Sequence, residues 1–265
     1  EKKKTSGDVG RFIVLAVRAG KAGNVRIREI QKQCMNIPVS EGNRKVAQNG
    51  YGKREEKAVS DKVIGAGNSR LEKKLEENVN GKKKVALTFD DGPNSQYTPL
   101  LLKGLKERGV HATFFLMGKN IEGKEALVKQ IQEEGHLIGN HTYHHVNLSK
   151  MSAEQAQAEL DATDELVRKI TGKYPIYARA PYGEVPENGD VDRQRFYIGW
   201  TVDPLDWMTE DVSRITQSVL EKVEPGDIIL LHDSYLSSVQ AALRIVDALQ
   251  GKGYEFITVD QMISD

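Results

Sequence analysis

From residue 85 onward, short apolar runs alternate with helix-length segments, and that alternation restricts the fold more than any other property of the chain. The runs are VALTF (85–89), ATFFL (112–116), HLIGN (136–140), PIYA (175–178), FYIGWTV (196–202), DIILL (227–231) and EFITV (255–259). Each has strand length and is rich in β-branched or aromatic residues, whereas the segments between them carry helix punctuation. Ser152, with Gln155 three residues later, opens one helix as a capping box, and Gly172 follows its end. The segments at 98–109 and 238–251 stop at Gly109 and Gly251. Strand, helix and strand repeated in this way require right-handed crossovers and a largely parallel α/β sheet, open or closed as a barrel.

Polar residues sit where these strands end. Asp90 and Asp91 follow the first run, His141 the third, Arg179 the fourth, Asp203 the fifth and His232 the sixth. In parallel α/β folds the C-terminal strand ends converge on one face, where the following loops build the active site. A polar loop, an Asp-Gly-Pro turn or a core histidine would explain each residue singly; one shared site explains them together. A carboxylate and two imidazoles suit zinc and its neighbours and leave a coordination position open for water. Asp91, His141 and His145 form such a set. Within HTYHH (141–145), an extended backbone puts 141 and 145 on one side and 144 on the other. A helical turn brings 141 and 145 within about 40° of each other. Both geometries select the same pair and turn His144 away. Asp90 is then the base acting on water, with Arg179 as the cation that keeps it ionised and oriented. His232 is the candidate general acid, and Asp206 the carboxylate that raises its pKa.

The 265 residues divide by charge: 1–80 carry 18 Lys+Arg against 10 Asp+Glu, and 81–265 carry 20 against 28. Residues 1–80 are expected to be a basic extension or small adaptor, suited to an anionic wall polymer or membrane surface, with one amphipathic segment at SRLEKKLEENV. Residues 81–265 are expected to be the catalytic domain. No nucleic-acid partner is expected. The single Cys34 excludes an internal disulfide framework. The apolar run FIVLAV (12–17) is far shorter than the roughly 20 residues of a membrane-spanning helix. The start at Glu1 rather than at a methionine fits removal of an upstream signal or anchor.

The succession TFDDG (88–92), HTYHH (141–145), RAPYG (179–183), DPLDW (203–207) and LLHD (230–233) resembles, in order and spacing, the five motifs of the polysaccharide deacetylase family, the NodB-homology domain of carbohydrate esterase family four. The resemblance covers about residues 84–263. It implies an irregular (β/α) barrel of about seven parallel strands, Asp90 as base, and Asp91, His141 and His145 as ligands of one divalent metal. Zinc is the favoured ion, and cobalt and nickel suit the same donors. It further implies that the Thr142 hydroxyl braces the loop, that Arg179 positions the base and that the Tyr182 N–H is an oxyanion donor. Asp206 would tune the acid His232, and Trp207 and Leu230 would line a pocket for the acetyl methyl group. Ala180 departs from the family pattern, which has a bulkier residue or proline there. The implied reaction is N-deacetylation of N-acetylglucosamine in a polysaccharide, with peptidoglycan favoured over chitin-like oligomers. An O-acetyl esterase acting on xylan and an inactive carbohydrate-binding module on the same fold are the alternatives.

Overall fold

The structure, a computed structural model, describes residues 83–185 and 195–264. The basic extension, with its amphipathic segment and Cys34, lies outside the described residues.

All seven expected strands are present, and every pairing between them is parallel. β1 (Lys83–Asp90) is central and is paired along both edges. Ala86 faces Ile228 of β6 (Ile228–His232) and also Ile257 of β7 (Tyr254–Ile257), so β6 and β7 flank opposite edges. Beyond β7, that second edge pairs with β2 (Thr113–Leu116) from Thr88 to Asp90. β3 (Leu137–Asn140), β4 (Tyr177–Ala178) and β5 (Phe196–Tyr197) continue the sheet outward. The chain after β5 then reaches β6, where Val202 bridges to Ile229 and closes the curl into an irregular barrel.

That closing segment differs from the continuous strand expected at 196–202. Regular pairing is confined to Phe196 and Tyr197, because the carbonyls of Ile198 and Gly199 accept hydrogen bonds from the Arg179 guanidinium at 3.1 and 2.9 Å. A side chain thus occupies acceptors that a ladder would have used.

Alternation along β1 sorts its side chains. Val85, Leu87 and Phe89 pack outward with Phe114, Leu101, Ile245 and Leu249 in the main core. Ala86 joins Phe115, Tyr177, Ile198 and Ile228 on the inside. The helices covering the sheet are α1 (Thr98–Glu107), α2 (Gly118–Ile121), α3 (Glu125–Glu133), α4 (Ala153–Thr171), α5 (Val212–Leu220), α6 (Leu236–Gly251) and α7 (Val259–Ser264). α4 has the expected capping box and ends at left-handed Gly172 (φ 76°). The expected stop of α6 is displaced: Gly251 is still helical, and the left-handed turn falls at Gly253 (φ 80°). No helix among the described residues is long and apolar enough to cross a membrane.

Candidate functional site

β1 delivers Asp90 to the C-terminal end of the sheet, directly opposite His232 of β6. Arg179, immediately after β4, is wholly buried there. It donates from Nη1 to Asp90 Oδ1 and to Thr88 Oγ1, both at 2.8 Å, and its guanidinium lies 4.2 Å above the Phe115 ring. Such a buried pair is held tightly, because removing one member leaves an uncompensated charge at a cost of about 3–5 kcal/mol. With Oδ1 occupied by Arg179, Asp90 has Oδ2 turned toward the His141 ring, 3.7 Å from Nε2.

Asp91, His141 and His145 come together as a group whose donor atoms all lie within 4.8 Å of one another. Asp91 Oδ1 is 3.5 Å from Nε2 of His141 and 3.5 Å from Nε2 of His145. His141 Nδ1 lies 2.7 Å from the carbonyl oxygen of Arg179, which only accepts, so Nδ1 carries a proton and Nε2 is the ring nitrogen left to face the carboxylates. His145 Nδ1 is 3.2 Å from the Tyr182 hydroxyl, compatible with the same tautomer. Burial first, then the neighbouring His141, hold the His145 pKa below the ordinary imidazole value against the opposing pull of Asp91 and Asp90. That favours the neutral, ligating form. Asp91 Oδ1 is itself buried without a hydrogen-bond partner. A carboxylate oxygen cut off from water in this way is costly unless a cation satisfies it. The donor set therefore fits a divalent metal ion.

The loop that brings the two histidines together is neither extended nor helical. Among the described residues the non-glycine positions with positive φ are Asp91 (72°), Thr142 (63°), His145 (59°), Tyr182 (62°) and Leu205 (57°), and all five belong to the motif segments. For β-branched Thr142 this region is especially unfavourable. Surrounding bonds hold it: its N–H donates to Asn140 Oδ1 at 2.7 Å, and its hydroxyl accepts the Val146 N–H at 3.3 Å. Its carbonyl and that of Tyr143 accept the N–H groups of Gly118 and Lys119, each at 3.0 Å. His144 is directed away from the donors, with Nδ1 2.8 Å from Glu159 Oε1.

On the opposite flank, Asp206 lies buried behind His232. Its Oδ1 is 2.8 Å from His232 Nδ1, and its Oδ2 accepts the His232 backbone N–H at 2.9 Å. Burial alone lowers the His232 pKa, but the hydrogen bond and charge of Asp206, with Asp90 and Asp91 adding, outweigh it and raise the pKa to about 9. Leu230 is buried on β6, one pleat repeat before His232 and on the same face. Tyr182 and Trp207 stand 66% and 54% exposed. Ala180 packs with Leu148, Leu160 and Tyr197 in a small cluster beneath the loops. Asp203 is not part of either constellation: its Oδ1 accepts the Leu205 N–H at 2.7 Å and braces the turn that presents Asp206.

Five supporting residues were not assigned a role from the sequence. Asn140 Nδ2 donates to Asp164 Oδ1 at 2.5 Å while its Oδ1 holds Thr142, and Arg195 Nε donates to Asp164 Oδ2 at 2.6 Å. The available signal was Asp164 itself, a charge four residues after Leu160 on the buried stripe of α4. Glu159 had no such signal. Asp233, after His232, is fully buried beneath the Asp91–Gly92 turn, where a Cβ on Gly92 would lie 2.6 Å from its carboxylate oxygens.

The family model for polysaccharide deacetylase matches residues 77–194. A Bacillus cereus protein named peptidoglycan-N-acetylglucosamine deacetylase is 40% identical over 188 residues, which cover 68% of this chain and 68% of that protein. The Listeria monocytogenes peptidoglycan-N-acetylglucosamine deacetylase PgdA is 36% identical over 183 residues, 69% of this chain but only 39% of the relative. The solved structure of peptidoglycan deacetylase PdaC from Bacillus subtilis matches with a TM-score of 0.67 at 34% identity, covering 69% of this chain and 90% of that one. The curated name of PdaC is peptidoglycan-N-acetylmuramic acid deacetylase.

Proposed function

We propose that this chain, which belongs to the polysaccharide deacetylase family, removes N-acetyl groups from N-acetylglucosamine residues of bacterial peptidoglycan by metal-dependent hydrolysis. One observation carries the reading: Asp90 and His232 face each other across neighbouring strands, each with its own charged partner, beside the Asp91, His141 and His145 donors. A module that only bound sugar would need neither an acid nor a base at a cation site.

Asp91, His141 and His145 would hold a divalent ion, which when bound would supply Lewis acidity to water and to an acyl oxygen. We take zinc as that ion, with cobalt and nickel suited to the same donors. Asp90 accepts the proton of the attacking water through Oδ2, while Arg179 keeps Oδ1 occupied and the carboxylate fixed. As the new C–O bond forms, the backbone N–H of Tyr182 stabilises the oxyanion. His232, held by Asp206, then protonates the nitrogen as the C–N bond breaks, releasing acetate and a free amino sugar. Leu230 and Trp207 border the acetyl group, and Thr142 braces the loop between the two ligands. Around this machinery, Tyr182, Trp207, Met208 and Tyr235 expose aromatic or apolar surface of the kind that covers the apolar face of sugar rings.

The reading also assigns residues 81–265 as the catalytic unit, residues 1–80 as a basic extension toward anionic wall polymer or membrane, and an extracellular place of action. It is tested by loading the protein with zinc and measuring acetate release from peptidoglycan, N-acetylglucosamine oligomers and acetylated xylan, with mass spectrometry of the resulting muropeptides. Acetate from peptidoglycan with a free amine on glucosamine is expected. A free amine on muramic acid moves the specificity to the other sugar, acetate only from xylan makes the protein an esterase, and no acetate from any substrate with metal bound leaves carbohydrate binding alone.

A further inference from the structure

We propose that Glu159 is a positioning residue for the metal site, its carboxylate fixing the backbone of the 141–145 loop so that His141 and His145 face Asp91. The inference rests on the proposed metal-binding reading of that group. From α4, Glu159 Oε2 accepts the backbone N–H groups of Tyr143 at 3.1 Å and His144 at 2.8 Å, while Oε1 lies 2.8 Å from His144 Nδ1. These two amides lie between left-handed Thr142 and left-handed His145, where neither helix nor sheet geometry supplies an acceptor. The carbonyls on the same stretch are bound to Gly118 and Lys119, so Glu159 completes the other half of a backbone cradle. Its side chain is only 14% exposed, which keeps these charge-assisted bonds from being exchanged freely for water. Glu159 touches neither ligand ring. It acts through the peptide units between them, and His144 adds a side-chain clasp on the outer surface.

The test is zinc affinity by chelator competition, together with the visible spectrum of the cobalt-loaded protein. Outer groups that orient metal ligands are worth about 10–100-fold in affinity. Glu159→Ala is expected to weaken zinc by about that factor and to alter the cobalt spectrum, while His144→Ala, which keeps both backbone bonds, stays within about threefold of wild type. Glu159→Asp keeps the charge but withdraws the carboxylate by one methylene, and is expected to lose affinity severalfold even where the alanine variant fails to fold. Wild-type affinity in Glu159→Asp, or a loss in His144→Ala as large as in Glu159→Ala, overturns the proposal. Failure of the wild-type protein to bind zinc would instead remove the metal-binding reading beneath it.

Discussion

Asp90 and Asp91 are neighbours in sequence with different surroundings, and their substitutions separate accordingly. Asp90 is clamped by Arg179 and is absent from the donor group, so Asp90→Asn should keep stoichiometric zinc while turnover falls by about 10²–10⁴-fold, the usual worth of a positioned base. His141→Ala should lose both metal and turnover; elemental analysis beside acetate release distinguishes the two variants. At His232 the sign follows from its raised pKa of about 9. The acid must be protonated, so its contribution to turnover falls as pH climbs through that value. Asp206→Asn removes the charge that raises it, leaving burial to pull it down, and the alkaline limb of the kcat profile should move to lower pH. In metal-free protein the same shift is a stability term, present below the unfolded value near 6.5 and lost as pH rises through about 9. The Tm of metal-free protein should therefore decline over that interval, and less steeply in Asp206→Asn. Asp90, Asp91, His141, Arg179 and His232 were legible because each follows the end of a short apolar run, and the others proposed for this chemistry because they fall in the family motifs. Glu159 and Asn140 were not, because their importance lies in backbone groups that the sequence does not mark.

At the scale of elements, seven strands and three helices could be read from period and punctuation, whereas the geometry of the loops could not. The pair His141 and His145 was expected from an extended or helical backbone, yet the chain uses left-handed residues at Thr142 and His145 to bring them together. The two rings meet beside Asp91 through a backbone geometry that neither expectation contained. No local pattern announces a threonine at positive φ; the surrounding hydrogen bonds impose it. α2 is part of that constraint. A Cβ on Gly118 would collide with the Tyr143 ring and lie 2.6 Å from Thr163 Oγ1, so Gly118→Ala forces α2, the Tyr143 side chain or Thr163 of α4 to shift. Urea denaturation should show a loss of about 1–3 kcal/mol, and zinc titration a weaker site. Ser152→Ala, at the distant capping box, should cost about 1 kcal/mol and leave zinc affinity unchanged. The first variant strikes a support of the loop, the second only the helix end.

Across the whole molecule, the barrel is well secured around β1 and thinly closed at β4, β5 and Val202, where a buried arginine takes carbonyls that strand pairing would have used. Period-two patterning could suggest a strand over 196–202, but a guanidinium arriving from another element is a tertiary event, which is why that segment was expected to be regular. Binding of the cation only to the folded protein should raise thermal stability by about 2.7 kcal/mol at a free concentration one hundred times Kd, and a chelator should reverse the gain in a thermal scan. The double-edged pairing of β1 has a temporal consequence. Amides of Leu87 to Asp90 should exchange with deuterium only through global opening, while those near Tyr177 and Phe196, on strands of two residues each, exchange through smaller fluctuations. The proposed base would therefore stand on the last part of the sheet to open, and the Tyr182 loop beside one of the first. Warming should let the substrate-facing wall loosen while the carboxylates still hold their places, so catalysis should fade before the molecule melts.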